Sequence, residues 1–353
     1  MSDLLTGHDW TKHQSHADKL TFEQVDPATL AHRAPLTGVV RSGSSLTWQY
    51  YSDTRASGTL MVDGTDWDGT SAIRITHSIP DWGFTRVLGT FLVTADDLTW
   101  SHGRWQGSME LHSMLYALST DLMVGGWSVG VGGRALDVVS QVCSTCGRPY
   151  TELSSANDHI YTSAATWDIG KSYLSVLEDV CDTASDRMDV AADGHVTCGP
   201  YAVPSGKTPA YALDAGGPLV YGDVSYSSDA LSTPGRVIVD YTDSSSNHIT
   251  AFSDASASSA SSSARRGYMV SELQSVSDLS PATATAAQAL ADSYLASDGT
   301  SDDEWTVQQH YVPLTEGDVV TLTVDGTAHK TLVKEVDLDL KAGLLMKTTY
   351  KGV

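Results

Sequence analysis

Arg86-Val87-Leu88-Gly89-Thr90-Phe91-Leu92-Val93-Thr94 is a run of apolar, β-branched and aromatic residues. It lies just downstream of Ser71-Ala72-Ile73-Arg74-Ile75-Thr76-His77, where Ile73 and Ile75 alternate with Arg74 and Thr76. Alternation with a period of two puts one set of side chains on a buried face and the other toward solvent, the pattern of a half-buried strand. Trp82-Gly83-Phe84 joins the two runs. Upstream, Gly38 to Arg41, Ser45 to Tyr50 and Gly58 to Val62 are similar short apolar segments bounded by Gly, Asp and Ser, and downstream the block closes with Trp105 to Leu111. Residues 35–111 are therefore expected to form a β module. Residues 1–34 carry few apolar anchors and are expected to be an N-terminal arm that needs a partner for order.

Beyond this block the period changes. Leu111, Met114, Leu115, Leu118 and Leu122 recur at three and four and predict a helix to about Met123; Leu136, Val138, Val139 and Val142 predict a second. The third follows Gly170-Lys171-Ser172 and carries Tyr173, Leu174, Leu177, Val180, Cys181 and Ala184 on one stripe. Val190 to Val196, around Asp193-Gly194, reads as a hairpin, because Asp-Gly suits the positive φ angles of a two-residue turn. Residues 112–195 thus form an expected α+β insert, and the first β module is expected to be completed by about 196–225. In 226–353 strands are expected at 236–241, 305–312, 319–324, 330–336 and 344–349, with a helix at 281–296. The serine-rich stretch 244–264 has too little apolar surface to form core, and is expected to be a long loop or flexible flap. The fold class is α+β, mainly β.

Composition excludes whole classes of function. The 353 residues carry 21 Lys+Arg against 43 Asp+Glu, a formal charge of −22, and the longest basic run is Arg265-Arg266. Nucleic-acid binding draws its affinity from cations on phosphates, so duplex recognition is not expected. The apolar runs fall far short of the roughly 18 to 20 residues needed to cross a bilayer, and Met1 to Leu20 has no apolar signal region. A soluble chain made in a cytoplasm, with its four cysteines reduced and buried, is the expectation.

Candidate site chemistry is thin. Cys143 and Cys146 have half the spacing of a zinc site, but Cys181 and Cys198 are not closely spaced, and Cys181 sits on an apolar helix stripe. His8, Asp9, His13 and His16 crowd together on a polar segment, where solvated histidines are the expectation. Asp63, Asp66 and Asp68 resemble a calcium loop without the bidentate Glu at the expected offset, and a tight turn explains them equally. Gly130 to Gly133 before a helix resembles a phosphate cradle but lacks its Lys. Neither a Gly-x-Ser-x-Gly elbow nor His-Glu-x-x-His occurs, and no catalytic, cofactor-binding or metal residue is assigned. Trp48, Trp82, Trp100 and Trp167 lie among strand or packing residues and are expected to pack in cores rather than stack on sugars.

Several segments together resemble a known family. Leu46-Thr47-Trp48, Gly58-Thr59-Leu60, Ile73-Arg74-Ile75, Trp82 and Leu88 to Val93 resemble the opening β domain of tail-tip (baseplate) hub proteins of long non-contractile-tailed bacteriophages, which are related to the baseplate hub of contractile tails. The resemblance runs on through Trp167-Asp168-Ile169-Gly170-Lys171-Ser172, Arg187-Met188-Asp189-Val190, Asp193-Gly194, Gly199-Pro200-Tyr201, Tyr311 to Val320 and Asp339 to Gly343, covering nearly the whole chain from about Pro35. It implies two tail-tube-like β-barrel or sandwich modules per subunit with the α+β domain inserted between them. It further implies a homotrimeric ring at the tail tip of the virion that continues the tail tube. The implied partners are a distal tail protein, the C-terminus of a tape-measure protein, and tail fibre or spike proteins, with DNA only in transit, no membrane insertion and no enzymatic activity. Two other readings stay open on the residues alone: a glycan-binding or glycan-hydrolysing module, and the hub of a phage-like injection particle.

Overall fold

The computed structural model describes residues 17–228, 233–243, 247–259, 261–277, 283–298 and 303–353. The chain opens with seven strands, β1 (Lys19–Val25), β2 (His32–Pro35), β3 (Val39–Gln49), β4 (Ala56–Asp63), β5 (Ala72–Ile79), β6 (Phe84–Ser101) and β7 (Arg104–His112). An α+β lobe follows: α1 (Leu115–Thr120), β8 (Trp127–Val129), α2 (Ala135–Thr145), β9 (Tyr150–Glu152), β10 (Ala165–Trp167), α3 (Tyr173–Ala184), β11 (Asp186–Val190) and β12 (Val196–Pro200). The remainder comprises β13 (Tyr211–Asp214), β14 (Val220–Ser228), β15 (Arg236–Thr242), β16 (His248–Asp254), α4 (Ser263–Arg266), β17 (Ser271–Ser277), α5 (Ala284–Asp298), β18 (Asp303–His310), β19 (Val319–Val324), β20 (Thr327–Asp339) and β21 (Leu345–Gly352). The protein is α+β and mainly β, as expected.

The two β halves are fused into one 13-stranded sheet, ordered β14-β18-β21-β20-β3-β4-β7-β6-β5-β1-β2, with β13 and β19 branching from β20. The joint is β20. Along one side it pairs with β21; along the other it pairs first with β19, Val324↔Thr327 to Val319↔Leu332, and then with β3, Glu335↔Gln49 to Asp339↔Ser45. A bulge between Val333 and Glu335 marks the hand-over. One core spans both halves, including Leu46, Ile73, Ile75, Phe91 and Leu111 from the first and Trp305, Val307, Leu338 and Tyr350 from the second. Among the described residues no pairing closes this sheet into a barrel.

Long strands turn corners on bulges. The first half of β6 pairs with β5 and its second half with β7, with a register shift between Thr94 and Asp97. Gly107 makes that bulge possible: at φ 142° a Cβ there would stand 2.0 Å from the carbonyl oxygen of Asp97. No L side chain fits that approach.

The lead-in differs from its expectation as an arm. From Lys19 it runs as β1, paired with β5 from Lys19↔Ser78 to Val25↔Ala72. The partner that orders it is another strand of the same chain, so a backbone ladder supplies what its sparse apolar residues do not. The first predicted helix shrinks to Leu115–Thr120, because Leu111 belongs to β7 and Asp121 is already extended. The second and third appear as α2 and α3, the latter capped by the Ser172 side chain, which accepts from the Ser175 amide at 3.1 Å. The segment expected to complete the first β module does not: β13 runs parallel to β19 and β14 pairs with β18, both in the second half.

The second half also carries an insert of its own. β16-β15-β17 form a separate three-stranded sheet backed by α5, with a small core of Val237, Val239, Tyr241, Ala287 and Ala291. The alanines let α5 lie close on β15. Part of the expected serine-rich loop is therefore ordered: His248–Asp254 is β16, and Ser261 and Ser262 are buried beside α4. Backbone pairing with β15, Arg236↔Asp254 to Thr242↔His248, compensates for its poor apolar content. Residues 244–246 and 260 of that stretch, and 281–282 of the expected helix, lie outside the described residues.

Candidate functional site

The lobe formed by 115–200 is held to the sheet by two arginines that meet at one carbonyl. Arg187, on β11, donates from Nη2 to the oxygen of Tyr50 at 2.9 Å and lays its guanidinium 3.6 Å from the centre of the Tyr50 ring. Arg55, from the sheet side, donates from Nη1 to the same Tyr50 oxygen at 3.1 Å and to Ser52 at 2.7 Å, and reaches across to the Met188 oxygen at 3.3 Å. The hairpin between β11 and β12 docks on β5 and β6. Arg74 donates to the carbonyl of Asp193 at 3.2 Å, and Thr90 to that of Ala192 at 3.0 Å. A Cβ on Gly194 would press on Leu30 and Thr90 at 2.9 to 3.2 Å, so the Asp-Gly turn is also what lets the hairpin sit this close.

Beside this joint runs a cleft lined by Tyr50, Arg187, Asp189, Tyr201, Lys207 and Glu316. Lys207 donates to the Gly317 carbonyl at 3.0 Å. Burial, and then the neighbouring Asp189, push the Glu316 carboxyl up to about 8, with Arg187 opposing. Arg187, Asp189, Tyr201 and Glu316 lie in segments that carry the family resemblance, but nothing in those segments points to a cleft. Arg187 meets Tyr50 across 137 positions and Arg55 meets Met188 across 133, and no local pattern announces such meetings.

The outer surfaces are of a different kind. Both ends of the long sheet are open among the described residues: β14 at one end, and β1 with the four-residue β2 at the other. β14 displays Tyr221 and Tyr226. The β6–β7 hairpin carries Trp100 opposite Trp105, 59% and 45% exposed, with ring centroids 5.3 Å apart at 69°. Trp100 therefore departs from its expected core role: past Leu98 the hairpin extends beyond the core, and the two exposed indoles pack edge to face on each other. Standing edge to face, they offer no coplanar platform for a sugar. Trp167 is buried, as expected, while Trp48 and Trp82 are half-buried against the main core.

The sequence candidates for metal or nucleotide chemistry resolve into structural roles. Asp66 accepts from the Thr37 amide at 2.8 Å; Asp68 accepts from Ser71 and Thr70 and pairs with Arg33 at 3.3 Å. Burial works against ionisation of Asp68, but the Ser71 and Thr70 hydrogen bonds outweigh it and hold its carboxyl below the usual range. These carboxylates close a turn. Gly130 to Gly133 leads into α2 at Arg134, which is engaged with Asp158 at 2.7 Å. Cys143, Cys181 and Cys198 are buried in the lobe core. Burial pushes the thiols of Cys143 and Cys146 up to about 12, with Asp121 adding to the effect at Cys146. Among the described residues no group of three His, Cys, Asp or Glu converges as a metal site, and no helix is long and apolar enough to cross a membrane. His8, Asp9, His13 and His16 lie outside the described residues.

No protein-family model matches the chain, and no characterised protein matches it in sequence. Solved structures do match in fold. The tail protein from Neisseria meningitidis MC58 superposes with a TM-score of 0.69 at 10% identity, over 95% of this chain and 97% of that one. The 43 kDa tail protein of prophage MuSo2 from Shewanella oneidensis gives 0.62 at 10% identity, over 94% and 97%. Prophage tail protein gp18 from Listeria monocytogenes EGD-e gives 0.58 at 13% identity, over 96% and 94%. Over nearly its whole length, this chain has the fold of these tail and prophage tail proteins.

Proposed function

We propose that this chain is a structural virion protein, the homotrimeric tail-tip or baseplate hub of a long non-contractile-tailed phage, made in the bacterial cytoplasm and carried at the tail tip. The observation that carries the reading is the likeness in fold to three tail and prophage tail proteins over at least 94% of both chains. The fused sheet supports it: a subunit with two β halves and two open sheet ends is suited to a ring in which neighbours cover each other's edges. In that ring the subunit continues the tail tube and contacts a distal tail protein, the tape-measure C-terminus, and fibre or spike proteins. Its role is mechanical rather than enzymatic.

The lumen of such a ring would conduct DNA. With −22 per subunit, three copies carry 3 × −22 = −66, and an acidic wall repels phosphate and lets the genome slide. The first test is molar mass by light scattering behind a sizing column. A species at three times 37.6 kDa, with a central hole in electron micrographs, is expected. A monomer that persists at high concentration, in salt and with purified tail tube present, refutes the trimer. Replacing lumen-facing acids by Lys is expected to slow genome ejection; unchanged ejection kinetics sink the conduit role.

A further inference from the structure

The core of the 115–200 lobe holds two thiols in contact. Cys181 ends the buried stripe of α3 and Cys198 lies on β12; their sulfurs are 3.2 Å apart, and both side chains are almost wholly buried. A third group arranges them. Cys198 Sγ donates toward Asp186 Oδ2 at 3.5 Å, and Asp186 is itself held by the Asn157 amide at 3.0 Å and the Asn157 side chain at 2.8 Å. With its hydrogen directed to the carboxylate, Cys198 turns a lone pair toward Cys181, which explains a sulfur–sulfur approach closer than ordinary packing. The pair is separated by 17 positions, and the chain between them contains the end of α3, all of β11 and the Asp193-Gly194 turn. That stretch carries Arg187 and the hairpin that dock the lobe on the sheet.

We propose that Cys181 and Cys198 are a redox pair whose disulfide staples α3 to β12 and stiffens the segment that joins the lobe to the sheet. The sulfurs need to close by only about 1.2 Å to reach bonding distance. The oxidant is a low-molecular-weight disulfide. One cysteine thiolate attacks it, forming a mixed disulfide and expelling one small thiolate. The second cysteine thiolate then attacks the protein sulfur of that mixed disulfide and expels the other. Two protein thiol protons end on the two released small thiols, so one disulfide is reduced as one is formed. The hydrogen bond with Cys181, then burial, and then the Asp186 carboxylate raise the Cys198 thiol and keep it protonated in the closed lobe, so the exchange proceeds through brief openings and the pair stays reduced in a reducing cell. The inference is independent of the assembly reading.

The test uses the full-length protein incubated with oxidised glutathione, then denatured, alkylated with iodoacetamide and peptide-mapped. The free thiol count is expected to fall from four to two, with the cross-link between the peptides holding Cys181 and Cys198, and with thermal unfolding of the lobe shifted up by roughly 5 °C. Four free thiols after prolonged treatment overturn the proposal. So does a cross-link or glutathione adduct confined to Cys143 or Cys146. Both readouts come from the unmodified chain, so a poorly folding Cys198→Ser variant does not weaken them.

Discussion

Replacing Glu316 by Gln separates the electrostatics of the cleft from its packing. Glu316 sits on the turn before β19, where the Thr315 amide and hydroxyl both bond Asp318 at 2.8 Å, and it faces Asp189 and Arg187 of the lobe. Burial first, and Asp189 second, raise its carboxyl from the ordinary 4.5 to about 8. Between those values the folded chain holds a proton that the unfolded chain has released. The contribution is therefore full below pH 4.5 and is lost as pH rises to about 8. A shift of 8 − 4.5 = 3.5 units at about 1.36 kcal/mol each sets a ceiling of ~5 kcal/mol. The cleft is open on one side, so water relaxes around the ionised carboxylate, and about 2 kcal/mol is the working expectation. Gln has the shape of the protonated acid and cannot ionise. Urea melts of both proteins at pH 4 and pH 8.5 should nearly coincide at the lower pH and separate by about 2 kcal/mol at the higher, with Glu316→Gln the more stable. Parallel profiles, differing by less than about 0.5 kcal/mol across that range, would refute the assignment of a neutral, lobe-facing Glu316.

Other perturbations read other joints. Arg187→Leu removes a charged hydrogen bond to Tyr50 and the contact with its ring but relieves repulsion with Arg55; a net loss of about 2 kcal/mol is expected in urea melts, with faster amide exchange in the 190–196 hairpin. Gly107→Ala forces a Cβ onto the Asp97 carbonyl and should lower stability by about 3 kcal/mol or abolish soluble expression, whereas Gly103→Ala, with open space around its Cβ, should cost only about 1 kcal/mol for its positive φ. Trp100→Ser with Trp105→Ser should cost the isolated subunit no more than about 1 kcal/mol by thermal melting, since both rings are exposed and stand outside the core. A loss above about 3 kcal/mol would place them in a core.

The strands and the two longer lobe helices were legible because each carries its signal locally. Ile73 and Ile75 alternate, α3 has a clean stripe and a serine cap, and the Asp193-Gly194 turn has its own chemistry. What stayed hidden depends on distant partners. β1 and β16 have too few apolar residues to announce themselves, and each is a strand because a neighbour offers it a backbone ladder. The β3–β20 pairing that fuses the two halves joins residues 286 and 290 positions apart, through Gln49 to Glu335 and Thr47 to Asp337. Trp100 read as core because it continues an apolar strand, but a strand that outruns its sheet exposes the same residues another buries. Arg187 and Glu316 lie in segments that carry the family resemblance, but that Arg55 and Arg187 meet at the Tyr50 carbonyl depends on distant partners.

The charge of the chain and its open sheet ends act on assembly in opposite directions. An edge strand of nine residues such as β14, paired among the described residues only with β18, invites edge-to-edge association along its open side. Here the bulge between Val220 and Val224 breaks its ladder, and Asp223 stands exposed beside that break. A net −22 adds repulsion between whole molecules, effective over a screening length of about 8 Å in physiological salt. In the proposed ring three such subunits meet, so charge opposes assembly, and the attraction must come from backbone pairing at the edges and from apolar contact. Added salt screens the cost and leaves those gains nearly untouched. Trimer formation should therefore strengthen with ionic strength, the opposite of the dependence shown by proteins that hold nucleic acid through phosphate contacts.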